Sequence, residues 1–178
     1  MRQPGVQKVD LPSEALVARA FPRIDYADAY GVRLPDGAPN DLDTIVRAAL
    51  GAAPRWVALL MRLRDLIVGM IGLKTASRSA RRNLGHVTLQ VGDSLGIFKV
   101  FDRTVDELLL GEDDRHLDFR VSLLVRNDGS NDWAIVSTVV RFNSWLGRPY
   151  FLPVRQFHKL IVPAMLRNAY QRYLNIQR

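Results

Sequence analysis

Between about residues 96 and 143, apolar and polar positions alternate, and short polar clusters interrupt the alternation. A strand turns successive side chains to opposite faces, so this pattern predicts strands with two distinct faces. Four follow one another: GIFKVFD (96–102), DELLLGE (106–112), HLDFRVSLLVRN (116–127) and DWAIVSTVVRFN (132–143). Arg103-Thr104, Asp113-Asp114 and Asn127-Asp128-Gly129-Ser130 are the predicted turns. Connections this short favour an antiparallel meander. Upstream, Ile24 to Tyr30 alternates well enough to predict one more strand, with Tyr26, Asp28 and Tyr30 on one face.

Elsewhere the period is helical. Asn40 reads as an N-cap with Asp43 three residues on, followed by an apolar face of Leu42, Ile45, Val46 and Ala49 and a closing Gly51. Pro54 opens a second predicted helix whose stripe runs from Trp56 through Leu59, Leu63 and Ile67 to Met70, with Arg55, Arg62 and Asp65 off it. From Gly147 a last helix is expected, with Val154, Phe157, Ile161, Ala164 and Met165 buried and Arg155, Lys159 and Arg167 away from them. Pro163 lacks an N–H and is expected to kink or interrupt it. Residues 1–22, punctuated by Pro4, Pro12 and Pro22, read as an arm with room for a short helix at Ser13–Ala20. The whole predicts an α+β fold in one domain, residues 23–178, behind that arm. A curved antiparallel sheet packed on a long C-terminal helix buries all these faces.

Composition narrows the chemistry more than it identifies it. The chain has 178 residues and no cysteine, which excludes thiol catalysis, disulfides and cysteine-rich zinc sites. Its three histidines, His86, His116 and His158, have no metal-ligand spacing. No serine sits in a nucleophile motif, and no glycine-rich strand–helix turn suggests a nucleotide, so no cofactor is expected. The N-terminus lacks the apolar core of a signal peptide, and Arg62, Arg64 and Asp65 interrupt the longest apolar stretch, so a cytoplasmic protein without a membrane span is expected. A net charge of +7 invites a nucleic-acid or anionic-lipid partner, but the arginines are scattered, and the one run, Lys74, Arg78, Arg81 and Arg82, reads most simply as a solvated loop.

Four stretches resemble a known family: DYADAY (25–30), RDLIVGMIGLK (64–74), DDRHLDFRVSLLV (113–125) and GRPYFLPVRQFHKLIVPAMLR (147–167). They are similar to the bacterial family called domain of unknown function 2867, over roughly residues 24 to 168. That resemblance implies membership of the START/Bet v 1-like (SRPBCC) superfamily and its helix-grip fold. Such domains commonly hold an apolar or amphipathic small molecule between sheet and C-terminal helix. Some are cofactor-free cyclases or dehydratases, and others only bind. Fold alone does not settle which.

Nine residues are candidates for a ligand site. His116, Asp118 and Arg120 point one way along their strand, which suits an acid, an orienting carboxylate and an anion clamp. The simpler reading turns that polar set to water, with Leu117, Phe119 and Val121 supplying the core face. Tyr26, Asp28 and Tyr30 could grip a polar head group, or pack at a sheet edge with Asp28 on an arginine. His158 lies beside the stripe of the last helix, as a cavity acid or base or as a satisfied boundary histidine. Arg148 and Tyr150 could clamp an anion at a cavity mouth or pin the helix start. Glu107 stands in an apolar strand, either in a pocket or facing solvent. Phe98, Phe119, Trp133 and Phe157 are expected wall residues, and Trp56 is expected in the core. The expected function is small-molecule binding, with acid–base catalysis in the same cavity as the alternative and a basic lipid- or nucleic-acid-binding module behind it. A homodimer is left open.

Overall fold

The computed structural model describes residues 5–35, 37, 41–51, 88–95 and 98–176. The predicted helix after Pro54, with Trp56, Arg64 and Asp65, lies outside the described residues, as do Asn40 and the basic run from Lys74 to Arg82. The four predicted meander strands are present. They are β4 (Phe98–Arg103), β5 (Glu107–Asp113), β6 (Leu117–Asn127) and β7 (Asp132–Phe142). The upstream strand is β2, and it runs on through Gly31 to span Tyr26–Arg33. Two short edge strands had no clear alternation to reveal them: β1 (Gln7–Val9) and β3 (Ser94–Leu95). All seven form one antiparallel sheet in the order β1-β2-β7-β6-β5-β4-β3.

Among the described residues, two helices cover one face of this sheet. The first, α1 (Leu42–Gly51), starts where Asp41 Oδ1 accepts the Thr44 N–H at 2.9 Å, so the capping side chain is Asp41. The second, α2 (Gly147–Ile176), continues through both Pro153 and Pro163. Pro163 therefore does not interrupt the helix, although each proline removes one backbone donor. The buried stripe of α2 is set one position away from the expected one. Phe151, Val162, Leu166 and Ala169 are buried, whereas Phe157 is 39% exposed. With α1 and the even-numbered positions of β2 and β7, Val162, Leu166 and Ala169 form the largest apolar cluster among the described residues, which includes Tyr30, Val32, Ala134, Ile45 and Val46, while Phe151 packs with Leu117 and Val140.

The other face is covered by the N-terminal arm. Leu16–Arg19 form a 3₁₀ turn, shorter than the expected helix. Leu16, Val17 and Phe21 pack against Ala29, Leu109, Leu124, Ile135 and Val139. The arm thus acts as a strap over a sheet buried on both sides. This corrects the simpler reading of HLDFR. Asp118 and Arg120 are only 3% and 7% exposed, and Ser122 is fully buried, because their face lies under the strap and not in water.

Gly147 fixes the junction between β7 and α2. A Cβ there would collide with the His116 carbonyl oxygen and sit 3.2 Å from the Phe142 ring. A backbone carbonyl cannot swing aside as a flexible side chain can. Gly147→Ala is therefore expected to cost about 2 kcal/mol, in the range of overpacked buried sites. A thermal melt with no downward shift would show that the junction relaxes freely.

Candidate functional site

Two polar side chains of β2 on the helix side of the sheet meet one from α2. Tyr26 and Asp28 are two residues apart on β2 and so share a face. The Tyr26 hydroxyl donates to Asp28 Oδ2, and Asp28 Oδ1 lies 3.1 Å from His158 Nε2. His158 reaches this carboxylate because the rotated stripe of α2, Phe151–Val154–His158–Val162, turns it towards β2. Asp28 is 6% exposed, so the carboxylate is almost wholly withdrawn from water. A withdrawn carboxylate is tolerable only with partners, and here it has a phenol and an imidazole.

Packing from α2 orients the phenol. The Phe151 ring meets the Tyr26 ring edge-on at 4.9 Å, and the Arg155 guanidinium lies 5.2 Å from the Tyr26 ring centre. Burial, followed by the hydrogen bond to Asp28 and the Asp28 charge, pushes the Tyr26 phenol far above its ordinary 10.0. Burial and the same charge push Tyr30 upward as well. Thr138 stands opposite Asp28 in the β2–β7 register, on the same face. Its hydroxyl is buried and has no hydrogen-bond partner among the described residues.

The raised Tyr26 ionisation gives a pH dependence of definite sign. The folded state holds this proton more tightly than the unfolded chain. Its contribution to stability is complete below pH 10.0 and is lost as pH rises from there through the folded value. Near-ultraviolet titration of tyrosinate is expected to show a late-ionising phenol that Tyr26→Phe removes and Asp28→Asn brings down. All tyrosines titrating together near pH 10.0 would contradict the buried contact.

Along the same β2–α2 seam, Val32, Leu34, Ala134, Leu166, Ala169 and Tyr170 line an apolar crevice with room for about one water. Of the expected wall residues, Phe98 and Phe119 face the helices and meet edge-on at 5.9 Å. Trp133 belongs to the strap face instead, and its indole N–H donates to Asp128 at 2.8 Å. Phe157 faces outward.

The remaining candidates lie elsewhere. Asp118 and Arg120 are on the strap face, opposite to Asp28 and His158. Asp118 pairs with Arg141 and accepts from Asn143 Nδ2 at 2.7 Å. Arg120 pairs with Asp113 at 2.8 Å and lies 3.4 Å over the Phe101 ring, which a bulge in β4 leaves out of register. His116 precedes β6, with Nδ1 3.0 Å from Ser144 Oγ. Arg148 is exposed on the first turn of α2, and Tyr150 packs in the aromatic cluster with Phe142 and Val154. Glu107 is neither solvent-facing nor near the helices. Buried under the strap, it accepts the Leu16 N–H at 2.8 Å and the Ser122 hydroxyl. Thr138 was not among the nine candidates. Its signal is the Ser137-Thr138 pair inside a strand, which puts one hydroxyl on each buried face.

The architecture defines an α+β protein with one antiparallel sheet between a long C-terminal helix and an N-terminal strap. The chain belongs to the family described as "Protein of unknown function (DUF2867)", whose model matches residues 20–165. No curated protein and no solved structure matches it. Among the described residues no helix is long and apolar enough to cross a membrane, and no three histidine or acidic side chains are grouped to hold a metal ion.

Proposed function

We propose that this chain is a START/Bet v 1-like, helix-grip domain that binds an apolar or amphipathic small molecule between its sheet and α2. Tyr26, Asp28 and His158 orient the molecule's polar end. The observation that carries this reading is the buried Asp28 carboxylate, shared by Tyr26 and His158 beside the unsatisfied Thr138 hydroxyl. A structural role alone is poorly served by such a group, since replacing buried ionic pairs with apolar residues is often neutral or stabilising. The apolar crevice on the same seam suits a hydrocarbon body, and α2 must move away from β2 to admit one.

One contact favours a second reading, a cofactor-free enzyme of the cyclase or dehydratase type. Asp28 holds the His158 ring as a carboxylate holds a catalytic imidazole, with a second ring nitrogen left for proton transfer. The basic interaction module is less well supported. Arg23, Arg103, Arg120, Arg126 and Arg141 are each already on a carboxylate, so little of their charge is left for a polyanion.

Native mass spectrometry separates these readings. A mass excess that disappears on denaturation supports binding, and recovery of a substrate–product pair supports catalysis. Protein prepared in the presence of cell extract that never carries an excess, and that takes up no apolar probe, would remove the proposal.

A further inference from the structure

The hydrogen-bonding capacity left over at the β2–α2 seam narrows the ligand class. Both oxygens of Asp28 are engaged, Oδ2 by the Tyr26 hydroxyl and Oδ1 by His158 Nε2. A carboxylate only accepts, so Nε2 is the donor in that contact. In the neutral ring Nδ1 is then a lone-pair acceptor, and it has no partner among the described residues. Tyr30 lies two residues beyond Asp28 on the same face. Its phenol also has no hydrogen-bond partner among the described residues, and burial and the Asp28 charge keep it protonated. The unsatisfied Thr138 hydroxyl faces Asp28 across the strands.

Next to Asp28 the seam thus offers one lone-pair acceptor on α2, His158 Nδ1, and two hydroxyls on the sheet, those of Tyr30 and Thr138. A carboxylate ligand would set lone pairs against Nδ1 and negative charge against Asp28. An ether or ketone would accept from a hydroxyl but leave Nδ1 unmatched. A hydroxyl does both, because it donates one hydrogen bond and accepts others. We infer that the polar end of the ligand is a neutral hydroxyl group, alcohol or phenol, that donates to His158 Nδ1 and accepts from Tyr30 or Thr138. The inference rests on the small-molecule reading of this seam.

Three probes that share one ring system test it: naphthol, its methyl ether and naphthoate. Their apolar burial is nearly the same, so differences in affinity report the polar end. Naphthol is expected to bind about tenfold more tightly than the ether, the equivalent of one net hydrogen bond, and naphthoate is expected to be weakest. His158→Phe should erase the difference between naphthol and ether. Tyr30→Phe should narrow it while leaving α2 and its contacts with Asp28 in place. Circular dichroism establishes that both variants are folded. If the ether or naphthoate binds as tightly as naphthol, the hydroxyl assignment is overturned and the binding site stands. If none of the three binds at millimolar concentration, the binding reading fails and the inference fails with it.

Discussion

A chain that begins at Pro22 is expected not to fold. Leu16, Val17 and Phe21 bury their side chains on the strap face of the sheet, over Leu109, Leu124, Ile135 and Val139. Burying residues of this size contributes about 1.5–3 kcal/mol each, so the three together supply about 6 kcal/mol. Native domains are stable by only about 5–15 kcal/mol in all. Removing the strap also takes the Leu16 N–H from Glu107, and it takes away the Phe21 ring that lies 4.9 Å from the Arg120 guanidinium and 5.1 Å from that of Arg141. Glu107 and Asp118 would then lose their cover together. Urea denaturation of the shortened chain should show no cooperative transition. A transition like that of the full chain would mean that the strap is an accessory. The narrower variant Glu107→Ala should cost about 3 kcal/mol, because it orphans a buried N–H and a buried hydroxyl. For a chain of this size that lowers the melting temperature by about 6–12 °C.

Asp28→Ala is expected to have the largest effect of any single substitution at the seam, about 3–4 kcal/mol, as when one partner is removed from a buried polar pair. It leaves the Tyr26 hydroxyl and His158 Nε2 without their acceptor on a face otherwise closed by Phe151, Val140 and Leu117. The urea midpoint should fall with the slope unchanged. His158→Ala should cost less, because the imidazole side chain keeps 18% of its surface in water while that of Asp28 keeps 3%. An Asp28→Ala variant within about 0.5 kcal/mol of the parent, as for an ordinary surface change, would show that the carboxylate anchors nothing.

The alternation of residues 96–143 was enough to place four strands nearly to their ends, because each strand carries polar residues at regular positions. The same alternation misled about what those polar residues face. HLDFR shows one apolar and one polar face, which usually means core and water. Here the strap closes the polar face, and Arg120, Asp118 and Glu107 are matched by Asp113, Arg141, Ser122 and a backbone N–H. That matching depends on register between strands and on a segment a hundred residues earlier, neither of which a local pattern contains. Gly111 illustrates it. It sits opposite Arg120, and any side chain there would strike the Phe119 carbonyl oxygen and the Arg120 stem, yet in sequence it is one glycine in an apolar run.

The site was half legible. Tyr26 and Asp28 share a strand face by spacing alone, so their pairing follows from period two. His158 was recognised as adjacent to the helical stripe, but a one-position rotation decides whether it faces solvent or Asp28. With Phe157 and His158 side by side, helical period could not fix that rotation. The outward turn of Phe157 and the inward turn of His158 come from the packing of Phe151, Val162 and Leu166 against the sheet.

The contact between Asp28 and His158 is the centre of this account, and nitrogen-detected NMR of the histidine rings tests it most directly. With the ring in its neutral form, one ring signal that disappears in His158→Gln should be locked in the Nε2–H form, with a slowly exchanging ring proton. In Asp28→Asn that locking should be lost. A His158 ring that samples both tautomers freely in the parent protein, with a proton exchanging as fast as in a solvent-exposed histidine, would contradict the buried pair and with it the binding site built on it.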